Sequence, residues 1–307
     1  MSCSITVEPL SSHIGAQISG VALDRPLLPD QIAAIQAALL QWKVVFFRDQ
    51  PLTHERHIAF ARQFGELTVG HPVFGSVEGY PEIYSVAKLR FGNRFDGPRL
   101  VRPWTGWHTD VTAAINPPAA SILRGVTIPP YGGDTQWTNL EAAFDALSPT
   151  LREFLQTLRG EHRFTAPDGA AAKPAFTEQV DARALVSLHP LIRVHPQSGR
   201  KSLFVSPGFL KRIDGLTPRE SEQLLTLLFE HIIQPEFTVR FKWSEGAIAF
   251  WDNRSTAHLA PRDVAELPGD RQLYRVTLVG DTPVGVAGLA SEALEGTPVL
   301  AYAAAQG

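Results

Sequence analysis

Residues 121–138, SILRGVTIPPYGGDTQWT, decide the fold. Ser121–Val126 and Thr135–Thr138 are short runs of branched and aromatic residues. Between them, Pro129-Pro130-Tyr131-Gly132-Gly133-Asp134 is built of residues that turn a chain. This reads as two strands and a turn. Working outward, the same pattern recurs at Val44–Phe47, Ile83–Val86, Leu191–His195, Ser202–Val205, Thr238–Trp243, Ala247–Trp251 and Arg275–Val279. His195-Pro196-Gln197-Ser198-Gly199 is a second clear turn. Helices are fewer. Asp30–Trp42 places Ile32, Ile35 and Leu39 on one stripe, and Thr53–Phe64 opens on Thr53 as N-cap. Pro149–Leu158 follows the cap Ser148, and the capping box Thr217-Pro218-Arg219-Glu220 opens a helix to about Ile233. Many short strands with a few helices outside the run predict a mainly β protein with flanking helices, a sandwich or jelly roll. An alternating βαβ order and a phosphate-cradling glycine loop are both missing from the pattern.

The 307 residues are 44% hydrophobic and 19% charged, with a net charge of −3. A chain of this length buries roughly 75% of its unfolded surface. The 28 basic and 31 acidic residues leave no electrostatic footprint for nucleic acid. No run approaches the ~20 apolar residues of a membrane helix, and MSCSITVEPL does not have the order of a signal peptide. Cys3 is the single cysteine, so an intrachain disulfide and a cysteine-based metal site are excluded. These features predict a cytoplasmic globular protein with neither nucleic acid nor membrane as partner. Residues 285–307, small and weakly charged, are expected to run over the surface as an extension to a single domain at 1–284.

Ten histidines are the richest supply of chemistry. In Trp107-His108-Thr109-Asp110, residues i and i+2 of an extended segment share a face, so His108 and Asp110 present an imidazole and a carboxylate together. Two ligands do not close a site. His258 lies just past the strand ending at Trp251, and two imidazoles with one carboxylate make the facial triad of non-haem Fe(II) oxygenases. An HxD triplet also arises by chance, and a histidine at a strand end is often structural. Arg271 and Arg275 follow His258 by 13 and 17 residues. On a strand they share a face, and two guanidiniums in a β-rich core are costly unless anions neutralise them. One could clamp the distal carboxylate of a dicarboxylate cosubstrate and the other an anionic substrate group. Ion pairs with Asp252, Asp263 or Asp270 are the alternative.

Together, WHTD at 107–110, Gly132-Gly133-Asp134-Thr135, Trp251-Asp252-Asn253-Arg254 with His258, and the two arginines resemble the taurine dioxygenase (TauD/TfdA) family of Fe(II)- and 2-oxoglutarate-dependent dioxygenases. The resemblance runs from about Ile5 to Pro283 with its motifs in family order. It implies a distorted double-stranded β-helix, the jelly roll. It implies Fe(II) on His108, Asp110 and His258, and 2-oxoglutarate held at its far carboxylate by Arg271 with help from Thr135. It implies O₂ as co-reactant and Arg275 on the anionic head of the substrate. Asp110 favours hydroxylation, since related halogenases do without that carboxylate.

His71 matches a family histidine that helps hold a sulfonate, and Phe209 falls on a pocket aromatic. Phe74 stands where taurine enzymes carry a tyrosine, and Trp104 where they carry an asparagine. Both exchanges remove polar partners for an ammonium group and predict a more apolar pocket. The stretch Lys88–Thr105 is long and basic, either a solvated loop or a lid over an anion. The run from Arg275 to Val286 is similar to the alkylsulfate-cleaving members. The expected activity is therefore hydroxylation of a small organic anion, a sulfonate or alkyl sulfate, with release of sulfite or sulfate and an aldehyde. An aryloxyalkanoate or other carboxylate is the alternative substrate, and a non-catalytic jelly-roll binding protein is the alternative of another class. A homo-oligomer, dimer or tetramer, is expected.

Overall fold

The computed structural model describes residues 5–88, 94–96, 100–166, 170–261, 264, 266 and 269–302. Cys3, Asp263, most of the basic stretch 89–99 and the last five residues of the extension lie outside the described residues. In chain order the strands are β1 (Thr6–Pro9), β2 (Ala16–Ser19), β3 (Val44–Phe47), β4 (Tyr84–Ala87), β5 (Phe95–Asp96), β6 (Ala120–Thr127), β7 (Thr135–Asn139), β8 (Arg159–Arg163) and β9 (Ala171–Ala172). They continue as β10 (Val186–Pro190), β11 (Ile192–Val194), β12 (Lys201–Leu203), β13 (Leu210–Ile213), β14 (Thr238–Phe241), β15 (Ile248–Asp252), β16 (Thr256–Leu259), β17 (Gln272–Leu278) and β18 (Glu292–Glu295). The helices are α1 (Pro29–Trp42), α2 (His54–Arg62), α3 (Leu140–Asp145), α4 (Pro149–Leu155), α5 (Pro174–Asp181) and α6 (Pro218–Ile232).

A seven-stranded sheet, in the order β1-β2-β3-β15-β6-β17-β4, faces a three-stranded sheet, β14-β7-β16. Side-chain alternation divides the large sheet into two working faces. Val44, Phe46, Leu123, Ala249, Trp251 and Leu273 point inward and meet Trp137, Val239 and Phe241 of the small sheet. The intervening Val45, Phe47, Ile122, Ile248, Phe250 and Val276 point outward and are covered by α1 and α2 through Ile35, Leu39 and Phe60. Both faces are buried, which is why β3 and β15 read as continuous apolar runs. The 129–134 turn joins β6 to β7, so it carries the chain from one sheet to the other. Gly132 and Gly133 both take positive φ (69° and 66°), a conformation that costs glycine nothing. This is the jelly roll expected from the sequence.

The caps read from the sequence form as expected: Thr53 accepts from Arg56 N, Ser148 from Leu151 N, and Thr217 with Glu220 closes a full capping box. The hairpin β11–β12 forms across the 195–199 turn. The strand expected at Leu191–His195 is β11, and a further strand, β10, directly precedes it. β10 runs with β8 and β18, and β11 with β12. β1, β2, β5, β8, β9, β10, β13, β16 and β18 were not read from the sequence; all are short, and most pair with segments far along the chain.

The extension is more than a surface run. β18 pairs antiparallel with β10, and Ala301 bridges Thr68. Asn116 holds Val299 as a strand would, donating from Nδ2 to the Val299 carbonyl (2.8 Å) and accepting from its amide (2.7 Å).

Candidate metal centre and its anion-binding surroundings

The WHTD segment is extended until Asp110, and His108 sits directly opposite His258 of β16. Each amide donates to the other residue's carbonyl, at 2.9 and 2.7 Å. A cross-strand pair of this kind brings the two side chains together on one face; their ring centroids are 4.2 Å apart. Thr109 points the other way, its hydroxyl donating to the Thr256 carbonyl (2.7 Å). Asp110 therefore returns to the histidine face. One ligand atom from each of His108, Asp110 and His258 lies within 4.8 Å of the others. Imidazole nitrogens and a carboxylate oxygen are donors that suit a divalent ion.

Supporting contacts orient His108 and Asp110. Gly106 adopts φ 96°, and its carbonyl accepts from His108 Nδ1 (2.9 Å), which leaves Nε2 as the ligating nitrogen. Ser121 on β6 donates to Asp110 Oδ2 (2.6 Å) and in turn accepts from Asn253 Nδ2 (2.8 Å). Asn253 is itself held by the indole N–H of Trp251 (2.8 Å). The other Asp110 oxygen pairs with Arg275 Nη1. Burial pushes the Asp110 carboxyl up, but the Arg275 guanidinium, the two imidazoles and the Ser121 hydroxyl outweigh it. The group is held well below the usual carboxylate range. Burial, then His108, pushes His258 down to about 3, so its imidazole is neutral and available to a metal at neutral pH.

Directly after Asp110 the chain takes a strained turn: Val111 has φ 49°, rare for a β-branched residue. Its surroundings hold it there. His189 Nε2 donates to the Thr112 and Ala114 carbonyls (3.0 Å each), and Ser187 donates to the Ala113 carbonyl (2.9 Å).

The arginines part company. Arg275 lies on β17 with the inward parity of Leu273 and reaches Asp110; its guanidinium also lies 5.3 Å from the Tyr84 ring. Arg271 precedes the strand, is buried, and donates from Nε to the Gly133 carbonyl (2.9 Å). Thr135, two residues on, is buried and accepts from Trp243 Nε1 (2.9 Å), which leaves its own hydroxyl hydrogen to donate elsewhere. Of the alternative partners, Asp263 lies outside the described residues. Asp252 is taken by Arg254 (2.7 Å) and His195 (2.9 Å), and Asp270 accepts only the Arg271 backbone amide among the bonds described.

His71, Phe74 and Phe209 are brought together. His71 Nδ1 accepts from the amides of Val73 and Phe74 (3.1 and 3.2 Å), so Nε2 carries the hydrogen. Its ring lies against Phe74 (4.5 Å) and Tyr84 (4.9 Å). Phe209 lies 6.4 Å from His108 and 4.8 Å from Phe164. Trp104 is placed elsewhere. It packs on Phe229 of α6 (5.9 Å) and lines a separate groove with Arg102 and Lys211. The reading of Trp104 as a pocket residue rested on the family resemblance, in which an asparagine stands at its position. Sequence reasoning missed Ser121, Tyr84, Phe164 and Arg94. The last donates to Tyr84 Oη (2.7 Å) and lies 3.6 Å over the Phe74 ring. Ser121, Tyr84 and Phe164 carry no local signal, because a serine on a strand or an aromatic in a core is ordinary, whereas Arg94 lies in the basic stretch already singled out.

Comparison with known proteins agrees with this geometry. Residues 6–277 match the family described as taurine catabolism dioxygenase TauD, TfdA family. A crystal structure of a taurine dioxygenase from Burkholderia xenovorans superposes with a TM-score of 0.85 at 61% identity, covering 96% of each chain. An alpha-ketoglutarate-dependent sulfate ester dioxygenase of Pseudomonas putida is 39% identical over 92% of each chain. An alkylsulfatase of Acinetobacter baylyi is 36% identical over 93% of this chain and 88% of its own.

Proposed function

The chain belongs to the TauD/TfdA family of 2-oxoglutarate-dependent dioxygenases, and from that premise we propose that it hydroxylates an alkyl sulfate or a related sulfonate. The observation that carries this reading is an arginine and a histidine N–H beside an apolar, aromatic wall, next to a two-histidine, one-carboxylate metal centre. When bound, Fe(II) with 2-oxoglutarate and O₂ supplies oxidation of a C–H bond, with succinate and CO₂ as the co-products. The donor set fits that ion: two imidazoles and a carboxylate, with no thiolate among them.

The chain's own residues do the rest. His108, Asp110 and His258 would hold the metal, with His108 oriented by the Gly106 carbonyl and Asp110 by Ser121 and Arg275. Arg271, aimed by the Gly133 carbonyl, and the Thr135 hydroxyl would take the far carboxylate of 2-oxoglutarate. Arg275 and the His71 Nε2–H would take the sulfur oxyanion, both as donors. Phe74, Phe164 and Phe209 would line the side against which the organic part lies, and they exclude water. Hydroxylation at the carbon bearing the sulfate oxygen leaves an adduct that expels sulfate and becomes an aldehyde. A sulfonate expels sulfite in the same way. The apolar wall and the loss of the taurine tyrosine favour a hydrophobic organic part over an ammonium group. Action in the cytoplasm as a homo-oligomer completes the reading. The lone cysteine supports the first, and light scattering measures the second.

The test is a panel of alkyl sulfates, sulfonates and aryloxyalkanoates, read by succinate formed together with sulfate or sulfite released. Coupled release from alkyl sulfates is expected. Succinate formed only with aryloxyalkanoates would overturn the substrate class while leaving the family chemistry intact.

A further inference from the structure

The C-terminal segment ends against the metal centre's own surroundings. Val299 is buried in one apolar cluster with Val73, Val111, Ala113, Ala114 and Leu185, against which Phe74, Phe164 and Phe209 pack. That cluster contains the residue after Asp110 and the aromatic side of the site. On another side of the same residues lies a groove of about 550 Å³. Its walls are Val69 and Pro72, the chain at 182–185, and the tail at 296–300. Val299 and Leu185 belong both to the cluster and to the groove wall.

We propose that Val299, with Leu185, is the partition that ends the apolar side of the substrate site and so sets the length of organic chain the enzyme accepts. The proposal rests on the substrate class argued above. Three features make the partition firm. The Asn116 side chain pins the Val299 backbone from both sides. β18 anchors the tail on β10 just upstream. Ala301 and Tyr302 bridge to Thr68 and Leu67 just downstream, the segment that leads to His71. A tail held at three points cannot drift away when a chain presses on it. The groove behind it is the space a longer chain would enter if the side chain were smaller.

The experiment follows kcat/KM along a series of linear alkyl sulfates, from butyl to dodecyl, for the native protein and three variants. Each further methylene buried is worth about fourfold in binding. Val299→Ala removes two methyl groups and is expected to raise dodecyl relative to butyl sulfate by roughly tenfold. Val299→Phe is expected to move the optimum to shorter chains. Val299→Thr keeps the shape of valine, guards against a folding defect, and is expected to penalise only the longest chains. The KM for 2-oxoglutarate and the visible absorption of the anaerobic Fe(II)–2-oxoglutarate complex should not move in any of the three. Chain-length profiles parallel to the native one in all three variants would overturn the proposal. So would a 2-oxoglutarate KM that shifts along with them. If the native protein turns over no alkyl sulfate, the substrate class fails instead. The same variants are then read on aryloxyalkanoates of graded ring size, where an unchanged size preference overturns the partition.

Discussion

At the scale of single residues, the pairing of Arg275 with Asp110 has the largest consequence. Both groups are buried, and each compensates the other in a site without an ion. Removing one partner of a buried pair typically costs about 3–5 kcal/mol, because the other charge is left uncompensated. Arg275→Met is therefore expected to destabilise the metal-free protein by several kcal/mol in denaturant unfolding. Saturating Zn(II), which compensates Asp110 in its place, should restore most of that loss. An equal deficit with and without metal would contradict the pairing. Arg271→Ala should behave differently. It touches the Gly133 carbonyl and not Asp110, so the 2-oxoglutarate KM should rise about a hundredfold, as expected for a lost charge-assisted contact of about 3 kcal/mol. Metal affinity should stay within a factor of about two. The pairing of His108 with Asp110 was legible in the sequence because i, i+2 spacing on an extended segment encodes a shared face. The shared face expected of Arg271 and Arg275 did not form, since Arg271 precedes β17. Ser121 and Asn253 were not legible, since their role depends on β6 and β15 being neighbours in the sheet.

At the scale of elements, the structure holds its ligand turn in place from outside. Val111 at positive φ stores strain on the order of 1–3 kcal/mol, and the hydrogen bonds from His189 and Ser187 of β10 sustain it. β10 is in turn the strand on which β18 is laid, so the tail, β10 and the metal-ligand turn form one connected unit. Asn116→Ala removes both bonds to Val299 and should lower stability by about 1–3 kcal/mol. Hydrogen exchange at the Val299 and Tyr302 amides should quicken by tenfold or more, with β6 and β15 unchanged. Uniform acceleration across the sheet would mean that the tail is not a local unit. Four helices, α1, α2, α4 and α6, were legible from caps and stripes that act within a few residues; the short α3 and α5 were not read. β18 was not, because EALE shows no alternation toward a core, and β10 alone gives it a partner.

At the scale of the whole molecule, acid stability is set by buried neutral histidines. Burial pushes His57 down to about 3 and His189 to about 4, and it pushes His162 well down. Lowered native values mean that the unfolded chain takes up these protons first. Stability is therefore full above about pH 6.5 and is lost as the pH falls toward the native values. Each such group contributes about 1.4 kcal/mol per pH unit across that window. In metal-free protein His258 adds to these three, so roughly 5 kcal/mol per unit should be lost between about pH 6 and pH 4.5 in denaturant titrations. His57→Leu should remove about a quarter of that slope. A flat profile would show that these imidazoles charge in the native state. The same three histidines show where sequence reading ends. Ten histidines can be counted and two assigned by motif, but which others are dry depends on what packs on them. The sequence by itself determined the strand-rich class, the sheet-crossing turn at 129–134 and the ligand triplet, since these follow from periodicity and steric limits over a few residues. Tertiary structure alone decided that Arg275 pairs with Asp110, that Trp104 packs on α6, and that the tail closes the apolar side of the site. Those outcomes depend on contacts between segments a hundred or more residues apart, where burial and charge pairing act through space.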